Sequence, residues 1–204
     1  HMFTVGMSDT ARWVFSLLTF LVAIPTGIKI FNWVATMYKG SIAVEVPLLY
    51  AVTFIFLFSI GGLTGLMNGA LSVNIHIHDT AFIVGHFHYT MFGGAGMGLI
   101  AGMHYWFPKI FGRMYNKKAA MTAWGLITVG FNVLYFPMLI MGLLGMPRRY
   151  HDYLPEFHTY HMISTFGSWI LASGLILMIV NLIISARKGE KAPDNPWGSS
   201  TLEW

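Results

Sequence analysis

Thr-Ala-Phe-Ile-Val-Gly-His-Phe-His-Tyr-Thr-Met-Phe-Gly-Gly-Ala-Gly-Met-Gly-Leu-Ile-Ala-Gly-Met-His-Tyr-Trp-Phe, residues 80–107, contains no Asp, Glu, Lys or Arg. A run of about 20 apolar residues is enough to cross about 30 Å of hydrocarbon as a helix, so this stretch reads as a membrane span. Three of its residues are histidines: His86, His88 and His104. Ionisable side chains are costly in a bilayer and mark function by default.

Moving outward, apolar runs lie near 11–37, 47–68, 117–143 and 159–186, and with 80–107 they predict five transmembrane helices. The composition agrees: 55% of the 204 residues are hydrophobic and only 10% charged, far below the charged share of a soluble domain. The fold class is therefore all-α integral membrane. No second domain, internal repeat or low-complexity segment interrupts it, and residues 187–204 form a polar tail. With no cysteine, thiol catalysis, disulfides and Fe–S clusters are excluded, and any metal must be held by His or oxygen. A net charge of +4, thinly spread, argues against nucleic acid as a partner. No charged n-region with a short apolar run opens the chain, so no signal peptide is expected. Small residues every four positions, Gly61-Gly65-Gly69 and Gly94-Gly98-Gly102, read as packing seams.

Lys39, the group Lys109, Arg113, Lys117 and Lys118, and the tail residues Arg187, Lys188 and Lys191 place three connections inside. The 69–79 and 144–158 connections and the N-terminal segment then lie outside. Arg148 and Arg149 break this rule. Two adjacent guanidiniums on the outer side point to a local anionic group, the alternative being neutralisation by Asp152 and Glu156.

Residues two apart on an α-helix point about 200° away from each other, so His86 and His88 cannot share one metal. They can each serve a separate centre on opposite flanks, as axial histidines serve haems; the plain alternative is a pair of hydrogen-bonded packing residues. His78-Asp79 offers an imidazole and a carboxylate at the membrane surface, either for a hard cation or with Asp79 as a helix cap. In the first span Ser16, Thr19, Thr26 and Lys29 share one face. Lys29 lies about 12 Å from the inner end, which suits a proton path from the cytoplasmic side or a snorkelling lysine.

His1-Met2-Phe3-Thr4-Val5-Gly6, Ile24-Pro25-Thr26-Gly27-Ile28-Lys29, His78-Asp79-Thr80, His86-Phe87-His88-Tyr89 and Gly145-Met146-Pro147-Arg148-Arg149-Tyr150 occur in this order. Together they resemble the catalytic subunit of haem–copper terminal oxidases. The resemblance covers the whole chain, including Asp194-Asn195-Pro196-Trp197-Gly198 and Thr201-Leu202-Glu203-Trp204 in the tail. It looks like the C-terminal five helices of a bundle of about twelve. Two departures are Ala81-Phe82, where the family often has two tyrosines, and Gly85, where alanine is frequent.

The resemblance implies that His86 is the axial ligand of the high-spin, oxygen-reducing haem and His88 one axial ligand of the low-spin haem. It implies that His1 binds copper, which displaces its reading as a cloning scar, and that Arg148 and Arg149 hold haem propionates. His78 and Asp79 match the family's Mg²⁺ or Mn²⁺ site, and Thr26 and Lys29 its lysine proton pathway. The implied cofactors are two haems of A type, copper and Mg²⁺ or Mn²⁺. The implied reaction is reduction of dioxygen to water with proton uptake and pumping, electrons coming from cytochrome c, or from quinol in the alternative reading of the same fold. A non-enzymatic proton channel or transporter is the rival from another class. The remaining ligands belong to an N-terminal half, so that half, other oxidase subunits and the bilayer are the expected partners. The expected location is a bacterial cytoplasmic membrane, and residues 1–204 alone are expected to be inactive.

Overall fold

The computed structural model describes residues 2–204, so His1 lies outside the described residues. Its elements are α1 (Asp9–Met37), α2 (Val46–Gly69), the short α3 (Leu71–Ile77), α4 (Ala81–Thr90), a π-helical segment (Met91–Gly96), α5 (Met97–Phe111), α6 (Lys117–Leu143), a 3₁₀ turn (Pro155–Phe157) and α7 (His158–Lys188). Among the described residues the only β contacts are two isolated bridges, Thr80 with Pro147 and Arg113 with Lys191.

Among the described residues four helices are long and apolar enough to cross a membrane: α1, α2, α6 and α7, the last counted with its leading 3₁₀ turn. The 80–107 run behaves differently. It forms α4, the π segment and α5 in succession, of 10, 6 and 15 residues. Gly93, Gly94 and Gly96 occupy the π segment, where α2 comes so close that a Cβ on Gly94 would lie 2.7 Å from the Phe58 ring.

Short polar residues cap α1, α4 and α6, as expected of N-caps. Ser8 accepts from the Ala11 amide and Asn116 from the Ala119 amide. Thr80, not Asp79, caps α4, accepting from the Phe82 amide at 3.3 Å. Asp79 instead takes a left-handed φ of 53° ahead of the cap. Gly112, with φ 64°, closes α5.

The first glycine stripe is a seam. Cβ atoms built on Gly61, Gly65 and Gly69 would meet Thr90, His86 and Thr19 at 2.8, 3.2 and 3.1 Å. The second stripe is not one within this chain. Gly94 meets Phe58, but Gly98 faces nothing within 4 Å and Gly102 meets only Trp106 of its own helix. The tightest seams escaped the four-residue pattern: Gly130 abuts the Leu171 backbone, Gly167 the Leu134 backbone and Gly142 the Phe82 backbone. The first two lock α6 to α7 and the third locks α6 to α4. The α1 helix is the outlier, with 6% of its apolar window buried and Ser16 as its buried residue.

Polar contacts sort the loops into two ends. At one end Thr4 Oγ1 hydrogen-bonds with His78 Nε2 at 2.9 Å, the Ala81 amide donates to the Met146 carbonyl at 2.9 Å and the Arg148 amide to the Asp79 carbonyl at 2.8 Å. At the other, Lys117 Nζ donates to Glu45 Oε1 at 2.7 Å and the Met114 amide to the Glu190 carbonyl at 2.8 Å. The tail folds back there: Trp197 Nε1 donates to the Tyr105 carbonyl at 3.0 Å, and Trp106 Nε1 to the Glu203 carboxylate.

Candidate functional site

A cavity of about 770 Å³ lies between α1, α2 and α4. Its walls are mainly apolar and aromatic, with Phe15, Phe31 and Phe58 among them. Polar groups reach it from Thr19 and Thr26 on α1, from His86 on α4, and from His78 and Asp79 at its loop end. Met2 and Phe3 also line it, so the segment that follows His1 folds over this space.

His86 is held by α2. Thr64 Oγ1 lies 2.9 Å from the Ile60 carbonyl and 3.0 Å from the Gly61 carbonyl, so its proton is committed to the backbone. It stands 3.0 Å from His86 Nδ1 and therefore accepts from it. That fixes the tautomer: Nδ1 carries the proton and Nε2 keeps a free lone pair, the arrangement in which a histidine ligates a metal. Gly65, one residue on, leaves the space that the ring occupies.

His88 turns to the other flank. Its Nδ1–H donates to the Val84 carbonyl at 2.8 Å, again leaving Nε2 bare, and its ring stacks on Tyr135 of α6 with centroids 3.9 Å apart and planes 17° apart. His88 does not line the cavity that His86 lines. The third histidine of the 80–107 run, on α5, joins neither flank. His104 is fully buried, bonded through Nδ1 to the Ile100 carbonyl, stacked on Tyr50 and edge-on to Tyr115.

At the loop end Asp79 stands between His78 and Arg148, 3.5 Å from His78 Nε2 and 3.6 Å from Arg148 Nε. Arg148 is thus answered by Asp79. Among the described residues no ion pair joins either arginine to Asp152 or Glu156. The two guanidiniums part company: Arg148 is 14% exposed, while Arg149, in a left-handed φ of 58°, is turned outward.

The expected polar stripe on α1 is only partly assembled. Ser16 donates to the Gly69 carbonyl at 2.7 Å, and Thr19 and Thr26 bond carbonyls of their own helix. Lys29 is exposed and does not line the cavity.

The lining fits a flat, mainly apolar group, and His86 would be the residue that holds its metal through Nε2. A metal at His78–Asp79 needs further donors, because among the described residues no three His, Asp or Glu side chains converge. Sequence reading missed Thr64 and Tyr135. The threonine had a signal, being a hydroxyl beside the Gly61–Gly65 seam; the tyrosine had none, because only tertiary packing brings α6 to His88.

The family model for cytochrome c and quinol oxidase polypeptide I matches residues 1–170. Cytochrome c oxidase subunit 1 of Bacillus sp. (strain PS3) is 44% identical over 207 residues, covering 100% of this chain and 34% of the relative. The same subunit of Thermostichus vulcanus is also 44% identical, with 37% of its length covered. A chain from the cryo-EM structure of a heme-copper terminal oxidase dimer superposes with a TM-score of 0.84 at 27% identity, over 94% of this chain and 39% of that one. The chain thus spans about a third of the length of the curated relatives it matches. With His86 and His88 presented to separate flanks and these matches running through both, the chain belongs to the cytochrome c and quinol oxidase polypeptide I family.

Proposed function

We propose that this chain is part of the catalytic subunit of a bacterial respiratory terminal oxidase that reduces dioxygen to water and takes electrons from cytochrome c. One observation carries the reading: His86 and His88 lie two residues apart, each with Nδ1–H tied to a protein acceptor and Nε2 free, and only His86 lines the large cavity. His104 shares the Nδ1 arrangement but is enclosed between Tyr50 and Tyr115, so it is the placement of His86 and His88 on opposite flanks of α4 that supports ligation.

In this reading His86 holds the high-spin haem in the cavity and His88 the low-spin haem on the α6 flank; His1 contributes to copper. The haems, of A type, and copper supply the redox chemistry when bound. The chain's own residues orient and neutralise. Thr64 holds the His86 ring, Arg148 and Arg149 answer haem propionates, and the apolar walls exclude water. His78 and Asp79 contribute to a Mg²⁺ or Mn²⁺ site completed by donors from elsewhere. Thr26 lies in the cavity wall and Lys29 about one turn away on the same helix, where the pair serves proton delivery. An ammonium in mid-membrane is not left against lipid, so the exposure of Lys29 supports its being covered by helices from the remaining N-terminal half.

The same reading makes α4, the π segment and α5 one further crossing, the fifth. At about 1.5 Å per residue the run is about 45 Å long, ample for the hydrocarbon core. The loop charges put Lys109 to Lys118 and the tail 187–204 in the cytoplasm. The complete subunit is a bundle of about twelve helices, joined by other oxidase subunits.

The test is a spectrum of the purified oxidase containing this chain, with His86→Ala and His88→Ala. The first variant loses the CO-binding haem and the second the low-spin signal. Identical losses from both, in assembled protein, overturn the assignment, and a haem-free wild type returns the chain to the channel or transporter reading. Oxidation of quinol but not of cytochrome c moves it to the quinol branch. Residues 1–204 expressed alone are expected to be inactive.

A further inference from the structure

The side of α4 opposite the cavity is read by one stripe of α6. Asn132, Tyr135 and Leu139 are spaced three and four residues apart and so share a face. Each meets a different residue of α4. Asn132 Oδ1 accepts from Tyr89 Oη at 2.9 Å, Tyr135 stacks on His88 at 3.9 Å, and Leu139 fills the space in front of Gly85, where a Cβ would lie 2.7 Å from its Cδ2. The departure at Gly85 is thereby matched by the leucine that packs on it.

The Asn132 amide cannot flip freely, because its Nδ2 donates to the Thr128 carbonyl at 2.9 Å and leaves Oδ1 for Tyr89. Tyr89 is fully buried, with the Phe131 ring edge-on at 5.0 Å. Because neighbouring residues on a helix differ by about 100° in direction, fixing Tyr89 fixes the rotation of α4 and with it where His86 and His88 point. The His88 ring itself is held on three sides: by the Val84 carbonyl, by Tyr135 and by Phe87, whose ring centroid is 4.4 Å away.

We propose that Asn132 and Tyr135 are positioning residues for the His88 imidazole, Asn132 setting the rotation of α4 through Tyr89 and Tyr135 setting the plane of the ring. The proposal rests on the reading of His88 as an axial ligand of the low-spin haem. Asn132 acts through Tyr89, and Tyr135 through its stack on the His88 ring.

The angle between axial imidazole planes governs the g-anisotropy of an oxidised low-spin haem, so electron paramagnetic resonance reads ring orientation directly. In the complete purified oxidase, Tyr135→Leu should displace the highest g-value and shift the midpoint potential of the low-spin haem, with the CO difference spectrum of the other haem unchanged. Tyr135→Phe, which keeps the stack, should restore the wild-type g-value. Tyr89→Phe, which removes only the hydroxyl, should broaden the signal, and it carries the test if Tyr135→Leu does not assemble. Wild-type position and linewidth in Tyr135→Leu, or in Tyr89→Phe when it stands alone, overturn the proposal. A low-spin signal that survives His88→Ala overturns the underlying reading and the proposal with it, a result distinguishable because it needs no change at α6.

Discussion

The Asp79 carboxylate stands 3.6 Å from Arg148 Nε while the Asp79 carbonyl accepts the Arg148 amide at 2.8 Å. One residue therefore ties the loop before α4 to the loop after α6 twice, once through its backbone and once through its charge. The carboxylate is 55% exposed, so the charge contributes little, about 1 kcal/mol or less. With divalent cations removed by a chelator, Asp79→Asn should accordingly lower the stability of the purified oxidase by no more than about 1 kcal/mol, because the backbone bond survives. A much larger fall in the unfolding midpoint would show that the ion pair, not the backbone, joins the loops.

Thr64→Val removes the acceptor for His86 Nδ1–H at almost constant volume. Loss of such a supporting hydrogen bond weakens a ligated centre on the order of tenfold. The expected outcome is a shifted iron–histidine stretching band and faster loss of the CO-binding haem, with the low-spin signal untouched. Unchanged resonance Raman spectra would remove Thr64 from the site.

Lys29→Met should slow oxygen consumption at saturating donor and leave both haem spectra as in wild type, since Lys29 does not line the cavity that His86 faces. Near-normal turnover would make Lys29 a snorkelling residue and not part of a proton path.

The chain has no cysteine, so single cysteines report sidedness without background. Asn74, which the loop charges alone would recommend as the outer probe, is 4% exposed and unsuited to labelling. Ser72 and Lys118 are exposed. Ser72→Cys should label from outside sealed cells and Lys118→Cys only after permeabilisation. Labelling of both from one side contradicts the fifth crossing.

Burial, and then the neighbouring Glu45 carboxylate and Tyr50, push the Tyr115 phenol above its ordinary 10.0. A raised phenol contributes stability that is intact below pH 10 and falls as pH rises through it, because the unfolded chain ionises first. Tyr115→Phe should flatten the alkaline side of the unfolding-midpoint profile. An identical profile in the variant would mean that this ring does not sense the pH.

What could be read from the sequence follows one physical rule. Features carried by a single helix were legible, because hydropathy marks four of the spans and a turn of about 100° per residue separates His86 from His88. Features made by two helices were not. The Gly130–Leu171 and Gly142–Phe82 approaches, the Tyr135 stack and the Asp79–Arg148 pair join residues that share no local pattern. Asp79 was legible as a polar residue at a helix start but not as one displaced from the cap by Thr80, and Lys29 fell on the expected helix yet outside the cavity wall.

The sparse attachment of α1 bears on how the cavity is filled. Two of its walls, α2 and α4, belong to a block joined by close glycine contacts, whereas the third is a mostly exposed helix tied on by the Ser16 hydroxyl, the Thr19 methyl and the Trp33–Phe54 ring contact. The cavity is therefore less a closed box than a book with one loose cover. Displacing α1 alone would open the cavity on one side while the α2–α4 block that aims His86 stayed assembled.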